Sequence, residues 1–190
     1  MVENINNIQL EIIGLYRNNY FNQFYVREMA KLIGKSHVSL LPYLKRFEKD
    51  KILLLKQIGK SKVYSLNLGN NQIREFLSLS EKKKTLDFLN KNFFIKKIYD
   101  EFINLNLNGS LILFGSHASE TNTKKSDIDL LYLGEIRESE NKKIKDFGKI
   151  YAREIHLISM TIKHLKEQLS KQSPLIKEII KNHIILYNHD

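Results

Sequence analysis

Apolar residues recur along this chain with two periods, and the switches between them mark its elements. Ile5, Ile8, Ile12 and Leu15 repeat at helical spacing over residues 5–18. Val26, Met29, Ala30 and Ile33 predict a second helix over Phe24–Ile33, closed by Gly34-Lys35 and a capping Ser36. A third helix is expected from about His37 to Asp50, with Leu40, Leu44 and Phe47 inward. Pro42 has no N–H to give, so this helix should start nearer Ser39 or bend. Ile52–Ile58 and Lys62–Leu68 then read as strands around Gly59-Lys60-Ser61, a hairpin with a basic tip.

From Gln72 to Asn108 the pattern is helical again, carried by Ile73, Phe76, Leu77, Leu86, Leu89, Phe93, Ile98, Phe102 and Leu105. Ser80–Lys84 interrupts it and is the expected hinge. Ser110–Phe114 follows the turn-like Asn108-Gly109 and reads as a buried strand. Gly134–Lys149 predicts a charged helix over a sheet, and Ile155 and Leu157 mark a half-buried strand. Thr161–Lys171 and the segment opened by Pro174 predict two helices, and His183–Tyr187 a closing strand. The expected divisions are 1–69, a connecting helical stretch 70–107, and 108–190.

Composition narrows the class. The chain has 190 residues, 42% hydrophobic and 27% charged, as in ordinary globular proteins. There is no cysteine, so neither disulfides nor thiol chemistry is expected. No apolar run approaches the roughly 20 residues of a membrane span, and the N-terminus lacks a secretory pattern. A cytoplasmic protein with no membrane partner is the expectation. A formal charge of +10 and a pI near 9.6 favour polyanionic partners.

The densest chemistry lies between residues 110 and 133. A strand ends in Gly115-Ser116, and after ten residues comes Asp127-Ile128-Asp129. Gly115 lets another group approach the backbone, and Ser116 is a candidate cap for a short helix near His117. A helix start offers N–H donors to phosphate. Asp127 and Asp129, alternate on a strand, share one face about 7 Å apart and can converge on one cation, with Ile128 and Leu130 turned to a core. Such oxygen ligands favour Mg²⁺ or Mn²⁺ over zinc.

Gly-Ser-x10-Asp-x-Asp between two strands resembles the signature of the DNA polymerase β-like nucleotidyltransferase superfamily. The segment from Leu113 to Leu131 is most similar to the minimal nucleotidyltransferases of bacteria and archaea. The resemblance covers roughly 108–190 and implies a small α/β domain with a mixed sheet. It implies ATP or another triphosphate as substrate, a divalent metal, and a third acid on a later strand. Glu154 is the candidate third acid, with Asp146 the weaker alternative, so Asp127, Asp129 and Glu154 form the implied catalytic and metal set. His156 shares the face of Glu154 and reads as a solvent-edge residue or a substrate contact. Gly115, Ser116, His117, Lys124 and Ser126 form the candidate nucleotide-binding set. Relatives commonly carry Arg-Ala-Arg-Gly after the Gly-Ser; here the run is His117-Ala118-Ser119-Glu120, and Lys124 and Lys125 are the nearby cations. His37, His164, His183 and His189 show no metal-ligand spacing.

The N-terminal helices and hairpin resemble a winged helix-turn-helix, so the expected fold class is α+β. In that resemblance the third helix enters the major groove, with His37, Ser39, Tyr43 and Arg46 facing DNA. Lys35, Lys45, Lys56, Lys60 and Lys62 would meet phosphates. The combination implies a transferase acting on a protein or small-molecule hydroxyl. Some relatives are antitoxins that modify a HEPN-type toxin, and DNA binding suits autoregulation. The alternative is a DNA-binding regulator whose transferase fold only senses a nucleotide or partner. A homodimer would match a palindromic site.

Overall fold

The computed structural model describes residues 5–187, so His189 lies outside the described residues. The chain divides into two compact units at Lys83/Lys84.

The first unit begins with α1 (Asn7–Gly14), β1 (Gln23–Tyr25), α2 (Val26–Ile33), α3 (His37–Lys49), β2 (Leu53–Ile58) and β3 (Ser61–Leu66). Asn6 caps α1 through a reciprocal pair: Gln9 N–H donates to its side chain at 3.1 Å, and Asn6 N–H donates to Gln9 at 3.0 Å. Residues 23–25 depart from the expected helix. Phe24 is buried between exposed neighbours, and the segment pairs antiparallel with β3. The sheet order is therefore β1-β3-β2, with β2 and β3 the expected hairpin. α3 starts at His37, not Ser39, because Ser36 Oγ accepts Ser39 N–H at 3.2 Å. Pro42 sits inside the helix and withholds the N–H that Val38 C=O would accept. Ile12, Tyr16, Met29, Leu40, Leu44, Phe47 and Tyr64 are buried together. Tyr16 O–H donates to Tyr64 C=O at 3.0 Å, and burial pushes its phenol well above the usual range.

α4 (Ile73–Lys91) runs unbroken through Ser80–Lys84, so the polar interruption is no break in the helix. Ser80 is buried and donates to Leu10 C=O at 2.9 Å, and Glu81 holds Arg17 in a two-pronged ion pair. The helix ends instead at Lys91, and the side chain of the next residue, Asn92, donates to Phe88 C=O at 2.9 Å.

The second unit continues with α5 (Phe93–Leu105), β4 (Ser110–Phe114), α6 (Gly115–Ala118), β5 (Ile128–Leu133), α7 (Glu138–Ile150), β6 (Ile155–Met160), α8 (Ile162–Ser170), α9 (Pro174–Lys181) and β7 (Ile184–Tyr187). Its sheet order is β6-β5-β4-β7; β5 and β6 are parallel and the other neighbours antiparallel. The parallel pair requires the crossover that α7 supplies. One face of the sheet buries Leu111, Leu113, Ile128, Leu130 and Tyr132 with residues of α5 and α7. The other buries Phe114 and Leu131 with Ile176 and Ile179 of α9. The α+β class and the mixed sheet are as the sequence predicts. Among the described residues no helix is long and apolar enough to cross a membrane.

Candidate active site

The site forms where β4, β5 and β6 come side by side at one end of the sheet. Phe114, the last residue of β4, pairs with Asp129 of β5. The chain then turns through Gly115 at φ 67°, a left-handed conformation that glycine adopts without steric cost. A Cβ at Gly115 would overlap the Asp129 carboxylate, with Asp129 Cγ at 3.3 Å and Cβ at 3.4 Å. Gly115 thus lets the backbone lie directly against the acid. α6 starts at Gly115 and Ser116 lies within it, so Ser116 is not the cap.

Asp127 precedes β5 and Glu154 precedes β6, and Ile128 N–H donates to Glu154 C=O at 2.9 Å. The register continues with Asp129 beside His156. Parallel neighbours in register put their side chains on one face, so His156 lies among the acids. Its Nε2 is 3.1 Å from Glu154 Oε1, and its Nδ1 is 3.5 Å from Asp129 Oδ1. Potential ligand atoms of Asp127, Glu154 and His156 all lie within 4.8 Å of one another. The hydrogen bond with Glu154 raises the imidazole pKa most; burial opposes it, and the charges of Glu154 and Asp127 and a hydrogen bond with Asp129 add to it. Side-chain exposure grades from 31% at Asp129 to 70% at Glu154, so Glu154 stands at the open side. The Asp127 and Glu154 carboxylates this close repel each other, and with the imidazole they fit a divalent cation, while Asp129 stands outside that group, its oxygens toward His156 and Gly115.

The loop between Gly115 and Asp127 is tied to itself. Ser126 Oγ accepts Thr123 N–H at 2.9 Å, and Ser119 Oγ donates to Gly115 C=O at 3.1 Å. His117 is buried, with Nε2 3.4 Å from Ser126 C=O. Burial lowers its pKa, the Ser126 contact opposes that, and Arg153 charge reinforces it. Lys124 and Lys125 are exposed, and Arg153 Nη1 donates to Lys124 C=O. A cavity of about 700 Å³ opens beside the acids, lined by Lys145, Lys149, Arg153, Glu154, His156 and Ile158. Asp146 sits on α7, ion-paired with Lys149 at 2.8 Å.

Sequence reasoning placed Asp127, Asp129, Glu154, Gly115 and Ser116 in a common site, and the structure brings these residues to one end of the sheet. It left His156 outside the metal set. The alternation Glu154-Ile155-His156 carried the signal, but its partner strand did not follow from local pattern. The basic lining from Lys145, Lys149 and Arg153 had no signal beyond composition.

In the first unit a cavity of about 690 Å³ is lined by Tyr25, Arg27, His37, Leu41, Lys60 and Lys62. It brings the start of α3 and the hairpin tip together and adds Arg27, absent from the sequence reading. Lys35, Lys45 and Lys56 are exposed. Ser39 Oγ donates to Ser36 C=O at 2.7 Å, Arg46 lies 3.7 Å from Asp50, and Tyr43 is half-buried against the core.

Residues 95–187 match the family model described as a nucleotidyltransferase domain. The match supports the nucleotidyltransferase superfamily for this part of the chain and nucleotidyl transfer as its general function. Domains of this kind typically use a nucleoside triphosphate and a divalent metal. No curated protein matches. A solved structure similar to the chain is titled "Structure of TrmBL2, an archaeal chromatin protein, shows a novel mode of DNA binding". The likeness covers 90% of this chain and 68% of that chain at 15% identity, with a TM-score of 0.30.

Proposed function

We propose that the C-terminal unit is a metal-dependent transferase that moves a nucleoside monophosphate, AMP from ATP, to a hydroxyl on a protein or small molecule. The observation that carries this reading is the convergence of Asp127, Glu154 and His156 within 4.8 Å, with Asp129 packed on Gly115. Asp127 and Glu154 would hold the metal, with Asp129 beside them orienting the His156 ring. When bound, the ion neutralises phosphate charge and lowers the pKa of an attacking hydroxyl.

The remaining steps rest on the chain's own groups. The first turn of α6 has N–H groups that lack helical partners, and these would receive the triphosphate at Gly115-Ser116. Lys124 supplies charge at the mouth, and His117 and Ser126 hold the loop that carries it. The acceptor oxygen attacks the α-phosphorus; the bond from that phosphorus to the bridging oxygen breaks, and pyrophosphate leaves. Glu154, with its side chain 70% exposed, would take the acceptor proton. Catalysis is then mainly positioning and charge neutralisation.

The N-terminal unit reads as a winged helix-turn-helix that binds DNA through the basic cleft of Arg27, His37, Lys60 and Lys62. Together the units suit an antitoxin-like component that modifies a HEPN-type partner and regulates its own operator, as a homodimer in the cytoplasm. The test incubates purified protein with labelled ATP, Mg²⁺ or Mn²⁺ and cell extract. Label transfer that vanishes in Asp127→Asn/Asp129→Asn supports the transferase.

A second reading has one observation in its favour. Where the resemblance implies arginines after Gly-Ser, this chain has His117, which is buried and turned to Ser126. On that reading the fold senses a nucleotide or partner, and the protein is a DNA-binding regulator. Nucleotide binding without transfer, together with sequence-specific DNA retention, selects it.

A further inference from the structure

The geometry points to His156 as a metal ligand and to a site selective for ions that accept imidazole nitrogen, Mn²⁺ above Mg²⁺. The inference deepens the transferase reading and rests on it for the site's role. Its geometry stands independently.

Three observations carry it. First, the parallel register sets His156 directly beside Asp129, on the face that bears the acids. The sheet ladder holds the His156 backbone beside that of Asp129 whichever rotamer the ring adopts. Second, a His156 ring nitrogen belongs to the group with Asp127 and Glu154 whose atoms lie within 4.8 Å of one another. That spacing suits donors around a single cation and gives two oxygens and one nitrogen. Third, the two ring nitrogens face different acids: Nε2 is toward Glu154 at 3.1 Å and Nδ1 toward Asp129 at 3.5 Å. A ligating imidazole commonly gives its other N–H to a carboxylate, which fixes ring orientation and tautomer. Asp129 Oδ1 is in place for that task, while its Oδ2 is turned to Gly115.

Ion selectivity follows from donor chemistry. Mg²⁺ demands near-octahedral oxygen ligation and dehydrates reluctantly, so an imidazole adds little to its binding. Mn²⁺ stands at the weak end of the first transition row, whose divalent ions accept an imidazole nitrogen more readily than Mg²⁺ does, and affinity rises along that row. The nearby cations Lys145, Lys149 and Arg153 line the adjoining cavity and would face an anionic substrate rather than the ion.

The experiment titrates the full-length, metal-stripped protein with Mn²⁺ without nucleotide, reads free ion by EPR, and examines the bound ion by pulsed EPR. Mg²⁺ is the competitor. Wild type is expected to show ¹⁴N coupling from a ligated imidazole. His156→Ala and the near-isosteric His156→Asn should lose that coupling and weaken Mn²⁺ binding by roughly 10-fold or more, the scale of disrupted metal-site partners. Their Mg²⁺ affinity should change much less. His156→Asp should bind Mn²⁺ without nitrogen coupling and shift the Mn²⁺/Mg²⁺ affinity ratio toward Mg²⁺. Circular dichroism establishes that each variant is folded, and either Ala or Asn suffices. The proposal is overturned if wild type shows no His156-dependent nitrogen coupling, or if folded His156→Ala or His156→Asn binds Mn²⁺ as wild type does. Coupling without nucleotidyl transfer keeps this site and removes the transferase reading. Transfer without coupling does the reverse.

Discussion

Gly115→Ala should damage the protein twice, through its backbone and through Asp129. At φ 67° an alanine carries the left-handed penalty, roughly 1–2 kcal/mol. Its Cβ would also overlap the Asp129 carboxylate, so that side chain must leave its rotamer at about 0.5–1.5 kcal/mol. Together these give about 2–3 kcal/mol. For a unit near 100 residues each kcal/mol moves the melting midpoint by roughly 4–8 °C. The expected drop for the C-terminal unit is therefore on the order of 10–20 °C. Because the displaced group is proposed to orient His156 at the metal site, transfer should fall further than stability explains; a shift of about 1 Å can cost ~10²-fold. The decisive assay is a double-mutant cycle with Asp129→Ala, followed by urea unfolding and calorimetry. Asp129→Ala removes the carboxylate but leaves the backbone strain. Gly115→Ala should then cost less in that background by about 0.5–1.5 kcal/mol, within the range for residues in contact. Equal cost in both backgrounds would refute the steric argument, and wild-type stability of Gly115→Ala would refute the strain argument as well.

His117 and His156 should titrate with opposite effects on stability. Burial lowers the His117 pKa, so below about 6.5 the unfolded chain takes up the proton first and stability is lost toward acid. The raised pKa of His156 contributes stability below its unfolded value and loses it as pH rises through the folded value. Urea unfolding of wild type and His117→Asn from pH 7.5 to 5 isolates the first effect. The wild-type advantage should shrink toward acid; an advantage constant or growing in that direction contradicts the assignment. Glu81→Ala strips Arg17 of a carboxylate whose two oxygens lie 2.9 and 2.8 Å from Arg17 nitrogens, with both side chains largely buried. It should destabilise the N-terminal unit by about 2–3 kcal/mol in chemical denaturation, and an unchanged midpoint would discard that pair as a support. For the proposed DNA cleft, Lys60→Ala/Lys62→Ala should flatten the log-affinity against log-salt slope by roughly 1.8, two phosphate contacts at about 0.9 each. A slope equal to wild type would move the contacts elsewhere.

Local pattern settled most of the secondary structure, because side-chain period is a property of a few consecutive residues. Ser110–Phe114, the Asp-x-Asp strand, α7 to α9 and the closing strand were legible for that reason. Where local preference and tertiary contact competed, the contact decided. Ser80–Lys84 reads as a break, yet Ser80 donates to Leu10 and Glu81 pairs with Arg17, and the helix continues to Lys91. Phe24 falls inside the expected second helix, yet β3 offers it a paired, buried position opposite Tyr64.

The candidate site shows the same division. Gly115-Ser116 and Asp127-Ile128-Asp129 declare themselves in the sequence because turn geometry and strand alternation are short-range. Which residue stands beside Asp129 does not, since β5 reaches β6 through a long helical crossover that leaves register undetermined by either strand alone. The hydrogen-bond ladder pairs Asp129 with His156, and thereby places a ring nitrogen among oxygens where composition along the chain indicated oxygens only. Sequence periodicity thus determined which side chains share a face within each strand. Tertiary pairing decided which faces met, because the partners are 27 residues apart and only the packed sheet brings them together.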